Sequence, residues 1–353
     1  MSIINGAFFQ GGIFEIMGDL FNNLNAWVES QGIWLPIVLF VIGLVCLIKG
    51  GDWFVDGATG LARKFHVPEF IIGATIVSIG TTLPEVMVSA TSAVKGIGDM
   101  AYGNAIGSVI CNTALISAIT IAIRPTEVER KSFRLPVACF FIAAAFFMVI
   151  SYAFRDFSRV TGIILLMMFI AYMIIVTVQG FKHPDKAAAE DQKEADSPFW
   201  KTIVLLVVGA ALIALGARLL VNNGTKIATL LGVPDTVIAL TFVALGTSLP
   251  ELVTAITALV KGHSNLSLGN IIGANFFNLA LVSGISITLA PFRLPVEKQI
   301  AGMNASLVVD LPLMLTVMAI MTIPTLIRQK LSRTQGILLL LLYAGYVAFQ
   351  FIN

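Results

Sequence analysis

Two glutamates stand at the ends of nearly identical six-residue strings, Gly80-Thr81-Thr82-Leu83-Pro84-Glu85 and Gly246-Thr247-Ser248-Leu249-Pro250-Glu251. Both strings lie within long apolar runs, where a carboxylate costs about 2.5–3.5 kcal/mol on insertion scales and is retained for a purpose. Pro84 and Pro250 lack a backbone N–H and crowd the preceding turn, so each is expected to break its helix and release the carbonyl of Gly80 or Gly246. A free carbonyl at bilayer depth must line a cavity or meet a ligand. A bare cation is such a ligand. Thr81, Thr82, Thr247 and Ser248 add hydroxyl oxygens one turn before the glutamates, and Asn112 and Asn278 add amide oxygens from the following segments. Two carboxylates neutralise one divalent ion, and an all-oxygen shell of six to eight flexible ligands is what calcium takes. Sodium can use part of the same set.

One such string alone would read as a proline kink whose glutamate snorkels to the interface. Two copies at matching depth argue against that. Pro68 to Asn112 aligns without a gap with Pro234 to Asn278, since Pro234, Glu251 and Asn278 each follow their counterparts Pro68, Glu85 and Asn112 by 166 positions. Val94-Lys95-Gly96 pairs with Val260-Lys261-Gly262, and GNAIG at 103–107 with GNIIG at 269–273. The glycines of the second motif suit close helix packing; Asn112 and Asn278, which follow, are the expected ligands. An internal repeat of this length is settled before any other fold argument.

The elements that must hold these residues are membrane helices. The chain of 353 residues is 57 % hydrophobic and 12 % charged, with a mean hydropathy of +0.92, far from the roughly 25 % charge of soluble domains. A net charge of +2 without a dense Lys/Arg run leaves no face for nucleic acid. Cys46, Cys111 and Cys139 have no CxxC spacing, and His66, His183 and His263 are scattered, which disfavours a disulfide framework or a soft-metal site. Residues 1–33 carry no Lys or Arg and read as an amphipathic helix on the bilayer or on the protein. Apolar segments of spanning length follow at 34–60, 70–95, 103–123, 134–154, 160–180, 200–229, 236–261, 269–291, 309–327 and 334–352. The expected fold is an all-α integral membrane protein of ten transmembrane helices, with the second and seventh broken at the GTxLPE motifs. Residues 34–181 form the first repeat, 182–198 a cytoplasmic linker, and 199–353 the second repeat.

Five spans per repeat make the second copy enter the membrane from the opposite side, the inverted plan of many secondary transporters. Most Lys and Arg fall on the linker's side, among them Arg63, Lys64, Arg124, Arg130, Lys131, Arg134, Lys182, Arg328, Lys330 and Arg333. The other side holds Lys95, Arg155, Arg159, Lys226, Arg293 and Lys298. The positive-inside rule places the linker in the cytoplasm and both termini outside. Lys49, Asp52, Asp56 and Arg218 lie in or beside the first span of each repeat and suit an internal ion pair or an aqueous vestibule; Asp310 suits the interface.

The doubled GTxLPE string, each copy followed by a GNxxG segment ending in Asn, resembles the alpha repeats of the calcium/cation antiporter superfamily, and within it the prokaryotic sodium/calcium exchanger branch. The resemblance covers the chain from about Trp34 onward. It implies ion binding by Ser78, Thr81, Thr82, Glu85, Ser108 and Asn112, and by Ala244, Thr247, Ser248, Glu251, Ala274 and Asn278. Val109, Ala274 and Asn278 depart from the commoner Asn, Ser and Asp, and so remove oxygens that bear on sodium stoichiometry. The long regulatory loop of animal exchangers is absent, so calcium-sensing regulation is not expected.

The function expected is calcium exchange for sodium by alternating access in the inner (plasma) membrane of a prokaryote, with inorganic cations and lipid as partners and no cofactor. Calcium/proton antiport by the same two glutamates is the alternative. An intramembrane hydrolase would need a companion such as HExxH or GxSxG, which is missing, and a passive channel would show no counter-ion requirement.

Overall fold

The computed structural model describes residues 33–182, 198–232, 246–296, 299–300 and 302–352. The expected N-terminal amphipathic helix, the linker and Ala244 lie outside them. The described chain is nearly all helical: α1 Trp34–Phe65, α2 Glu69–Val94, α3 Gly98–Ile123, α4 Arg130–Phe154, α5 Arg159–Lys182, α6 Phe199–Leu230, α7 Leu249–Val260, α8 Ser264–Leu289, α9 Ser306–Arg328 and α10 Arg333–Ile352. Eight of these are long and apolar enough to cross a membrane; α7 is shorter. Helix is the outcome because lipid offers no partner for a backbone N–H or C=O, and a helix satisfies both within itself.

The described helix bounds track the expected spans, with one correction. The second helix does not break at its motif. Helix α2 passes through Pro84 without interruption, and its irregularity is a wide π-helical turn at Gly73–Val77, upstream of the motif. A proline deletes a single ladder bond, and packed neighbours absorb that loss as local adjustment rather than rupture. In the second copy, Gly246 to Ser248 form a turn, and α7 starts at Leu249 with Pro250 in its first turn. There the missing N–H is one that a helix start leaves unpaired in any case.

Lipid tails give helices no hydrophobic reason to associate, so close packing by small residues carries the contact. Gly43, Gly50 and Gly57 of α1 face Gly216, Gly209 and Leu206 of α6 in turn, and a methyl at Gly57 would come 2.5 Å from the Leu206 nitrogen. The seven-residue spacing on both helices makes one long seam. Helix α8 is the interior element, with 83 % of its spanning window buried against 28 % for α1 and α6. It meets α2 backbone to backbone: a Cβ on Gly269 would lie 2.1 Å from the Phe70 carbonyl oxygen, and one on Gly73 would lie 2.4 Å from that of Leu266.

The shared Val-Lys-Gly strings are helix stops. Gly96 and Gly262 have φ of 80° and 89°, and the N–H groups of Ile97 and His263 return to the carbonyls of Ser92 and Ala258 at 2.9 and 2.7 Å. Such left-handed caps favour glycine. One end of the bundle gathers Phe65, Phe181 and Phe199 into edge-to-face ring pairs and bridges Glu127 to Lys330. At the other end, β1 Asp156–Phe157 pairs antiparallel with β2 Phe292–Arg293. A second short pair joins β3 Gln299–Ile300 to β4 Met303–Asn304.

Candidate functional site

Glu85 on α2 and Glu251 on α7 are fully buried and lie within electrostatic reach of each other. Their helices come from opposite halves of the chain. Neither oxygen of Glu85 has a hydrogen-bond partner, and Oε2 of Glu251 has none; Oε1 of Glu251 receives a long 3.5 Å bond from the Thr82 hydroxyl. Two carboxylates brought together in a dry interior repel each other and have lost their water, which is strongly unfavourable unless positive charge joins them. Lys261 forms ion pairs elsewhere, with Asp56 at 2.7 Å and Asp52 at 3.5 Å, and His263 Nδ1 shares a hydrogen bond with Glu69 at 2.8 Å.

Asn112 and Asn278 sit at matching places, each opening a π-helical turn, Asn112–Ser117 in α3 and Asn278–Val282 in α8. Both are fully buried, and neither amide finds a partner for its oxygen or its nitrogen. An unpaired buried amide costs about 1–3 kcal/mol, and single π-turns concentrate at functional sites. The Ser248 hydroxyl is likewise buried and unpaired. Among the described residues no cluster of three or more His, Cys, Asp or Glu forms, so the available donors are two carboxylates and neutral oxygens. Such a set suits a hard cation.

The remaining expected ligands divide. Thr81 and Thr82 are buried on α2 with Glu85; Thr247 stands in the second half at the place that Thr81 takes in the first, and Ser108 is buried on α3 at the place that Ala274 takes on α8. The Ser78 hydroxyl has other acceptors within reach, the carbonyls of Gly73 at 2.8 Å and Asn270 at 2.9 Å, and so helps close the π-turn of α2 against α8. Asp52 and Asp56 of α1 engage Lys261, at the end of α7. Asp310 accepts a bond from Tyr346 at 3.2 Å.

Two site residues escaped the sequence reading, Asn104 and Asn270, the second residues of the GNxxG strings. The Thr81 hydroxyl donates to Asn270 Oδ1 at 3.1 Å, and the Thr247 hydroxyl donates to Asn104 Oδ1 at 3.2 Å. Each bond crosses from one half of the chain to the other, and exchanging the halves turns one into the other. Asn104 Nδ2 also donates to the Glu85 carbonyl at 3.2 Å and to Ser89 Oγ at 2.8 Å. The signal was present, since both asparagines recur at the 166-residue offset, but a motif flanked by packing glycines explained itself too readily.

A family model described as sodium/calcium exchanger protein matches residues 35–178 and 201–352. The chain belongs to this family. CaxA of Alkalimonas amylolytica, named as an antiporter, is 34 % identical over 316 residues, 88 % of this chain and 96 % of that protein. The sodium/calcium exchanger MaX1 of Methanosarcina acetivorans is 29 % identical across 89 % of this chain and 98 % of its own. A structure of the sodium-calcium exchanger NCX_Mj soaked with Na+ and Sr2+ superimposes with a TM-score of 0.74 at 32 % identity, covering 90 % of this chain and 99 % of that one. The exchanger described here is a membrane cation antiporter, and its candidate site brings together two carboxylates and neutral oxygens, a donor set that suits hard cations.

Proposed function

We propose that this antiporter exchanges calcium for sodium at one site formed by Glu85 and Glu251. The observation that carries the proposal is the pair of buried carboxylates, one from each half, together with the buried, unpaired amides of Asn112 and Asn278, which open π-turns packed on α7 and α2. The proposed ligand set is Glu85, Glu251, Thr81, Thr82, Thr247, Ser248, Asn112, Asn278, Ser108 and Ser78, with Ala244, the sequence counterpart of Ser78, outside the described residues. Calcium takes both carboxylates together. Sodium ions occupy overlapping oxygens, and because the two species cannot share them, net movement of one requires counter-movement of the other. Asn278 in place of the commoner Asp supplies an amide oxygen without charge, which lowers the electrostatic pull on a bound monovalent ion.

The ten helices make two inverted five-helix repeats, a reading supported by the equivalent π-turns, the equivalent Lys-Gly caps and the reciprocal Thr–Asn bonds. Alternating access follows as sliding of α1 and α6, zipped by their glycine seam, past a core holding α2, α3, α7 and α8. The interface they slide on is close: a Cβ on Gly51 would meet the Thr257 hydroxyl at 2.7 Å, and one on Gly80 would meet the Phe54 ring at 3.0 Å.

The test is calcium uptake into proteoliposomes loaded with sodium and diluted into sodium-free buffer, beside a set carrying only a pH gradient. Uptake that requires internal sodium is expected; uptake on the pH gradient alone would make the two glutamates proton carriers instead. The surplus of Lys and Arg on the linker's side orients the exchanger in a prokaryotic plasma membrane with that side cytoplasmic and both termini outside. On a cysteine-free background, Asp156→Cys is expected to react with an impermeant maleimide in intact cells and Lys330→Cys only after permeabilisation. The reverse pattern would invert the orientation.

A further inference from the structure

The reciprocal Thr–Asn bonds have a direction, and the direction matters for the ion. The Glu85 carbonyl can only accept, so the Asn104 nitrogen faces it and the Asn104 oxygen faces Thr247. Thr247 must then donate its single proton to that oxygen. A hydroxyl committed as a donor in one direction presents its lone pairs in the others. Thr81 donates in the same way to Asn270 Oδ1 at 3.1 Å, an amide whose Nδ2 finds no partner among the described residues. With its proton held by Asn270, Thr81 turns its lone pairs to the other directions.

We infer that Asn104 and Asn270 are positioning residues that set the sodium affinity of the site, each holding a threonine hydroxyl of the opposite half with its oxygen turned toward the ion. Asn104 does more than its counterpart. It grips the backbone of Glu85 and the Ser89 hydroxyl while reaching Thr247, so it couples the acidic residue of one half to the hydroxyl of the other. The effect falls on sodium more than on calcium. Calcium takes both carboxylates and chooses among six to eight flexible ligands, so one misdirected hydroxyl leaves it alternatives, whereas a sodium ion that uses only part of the set has fewer.

The inference rests on the exchanger reading, and one assay separates the two. Sodium-dependent calcium uptake is measured for the wild-type chain and for Asn104→Leu and Asn270→Leu, with the alanine versions serving where leucine gives no monodisperse protein. Loss of one directed hydrogen bond predicts that the sodium concentration for half-maximal exchange rises about five- to tenfold, with half-saturation by calcium shifting by less than about threefold. Double-mutant cycles with Thr81→Val and Thr247→Val supply the second readout. Once the threonine hydroxyl is gone, removing its asparagine should weaken sodium activation by less than it does in the wild-type chain. Equal shifts for both ions, or additive losses in the cycles, would reduce the asparagines to structural parts and overturn the inference. A wild-type chain without sodium-dependent uptake would instead remove the exchanger reading itself.

Discussion

Calcium flux through Glu85→Gln or Glu251→Gln is expected to fall by about a hundredfold or more, the consequence of leaving a desolvated ion with half its countercharge. The fold should survive. Glutamine keeps the volume, and with no ion bound each substitution relieves one of two mutually repelling buried carboxylates, so thermal stability in ion-free detergent should be unchanged or higher. The same measurement separates binding from folding. Calcium stabilises a protein it binds by mass action, so added calcium should raise the melting temperature of the wild type and leave both variants where they were. Near-normal flux in either variant would sink the assignment of the site.

The second large effect concerns the crossing of α2 and α8. Gly269→Ala places a methyl where the Phe70 carbonyl oxygen stands 2.1 Å away, and a backbone oxygen inside a helix cannot step aside as a side chain would. Overpacking of this kind costs about 1–3 kcal/mol and should appear as a lower melting temperature and reduced yield of monodisperse protein. Gly345→Ala is the control, because a methyl there meets nothing within 4 Å, and alanine is the better helix former by about 1 kcal/mol. A Gly269→Ala protein that melts like the wild type would mean that α2 and α8 approach less closely.

Much of this was legible without coordinates. Most helix boundaries follow from apolar length, because lipid admits few other solutions for a buried backbone; the described helices begin and end within about five residues of the expected spans, except α7, which starts at Leu249 where the span was expected from 236. The acidic centre was legible too. A glutamate in an apolar run is costly, and Glu85 and Glu251 recur at one offset with Asn112 and Asn278 in step. The proline break in the first copy was misplaced, since Pro84 forbids one hydrogen bond locally while the helices packed around α2 decide whether the chain stays helical. Asp52 and Asp56 were read as belonging to an ion pair or a vestibule, but their partner, Lys261, lies about two hundred positions away and was supplied by folding.

Asn104 and Asn270 show where the boundary lies. Sequence alone determined the composition of the protein's centre: a repeated set of carboxylates, hydroxyls and amides carried on helices that must cross a membrane, because residue type and spacing govern burial cost and backbone satisfaction locally. Tertiary structure alone decided which oxygens face one another. A hydrogen bond such as Thr81 to Asn270 joins residues 189 positions apart, and its existence depends on how closely two helices approach, on the glycines that permit the approach, and on which acceptor claims the single proton of a hydroxyl.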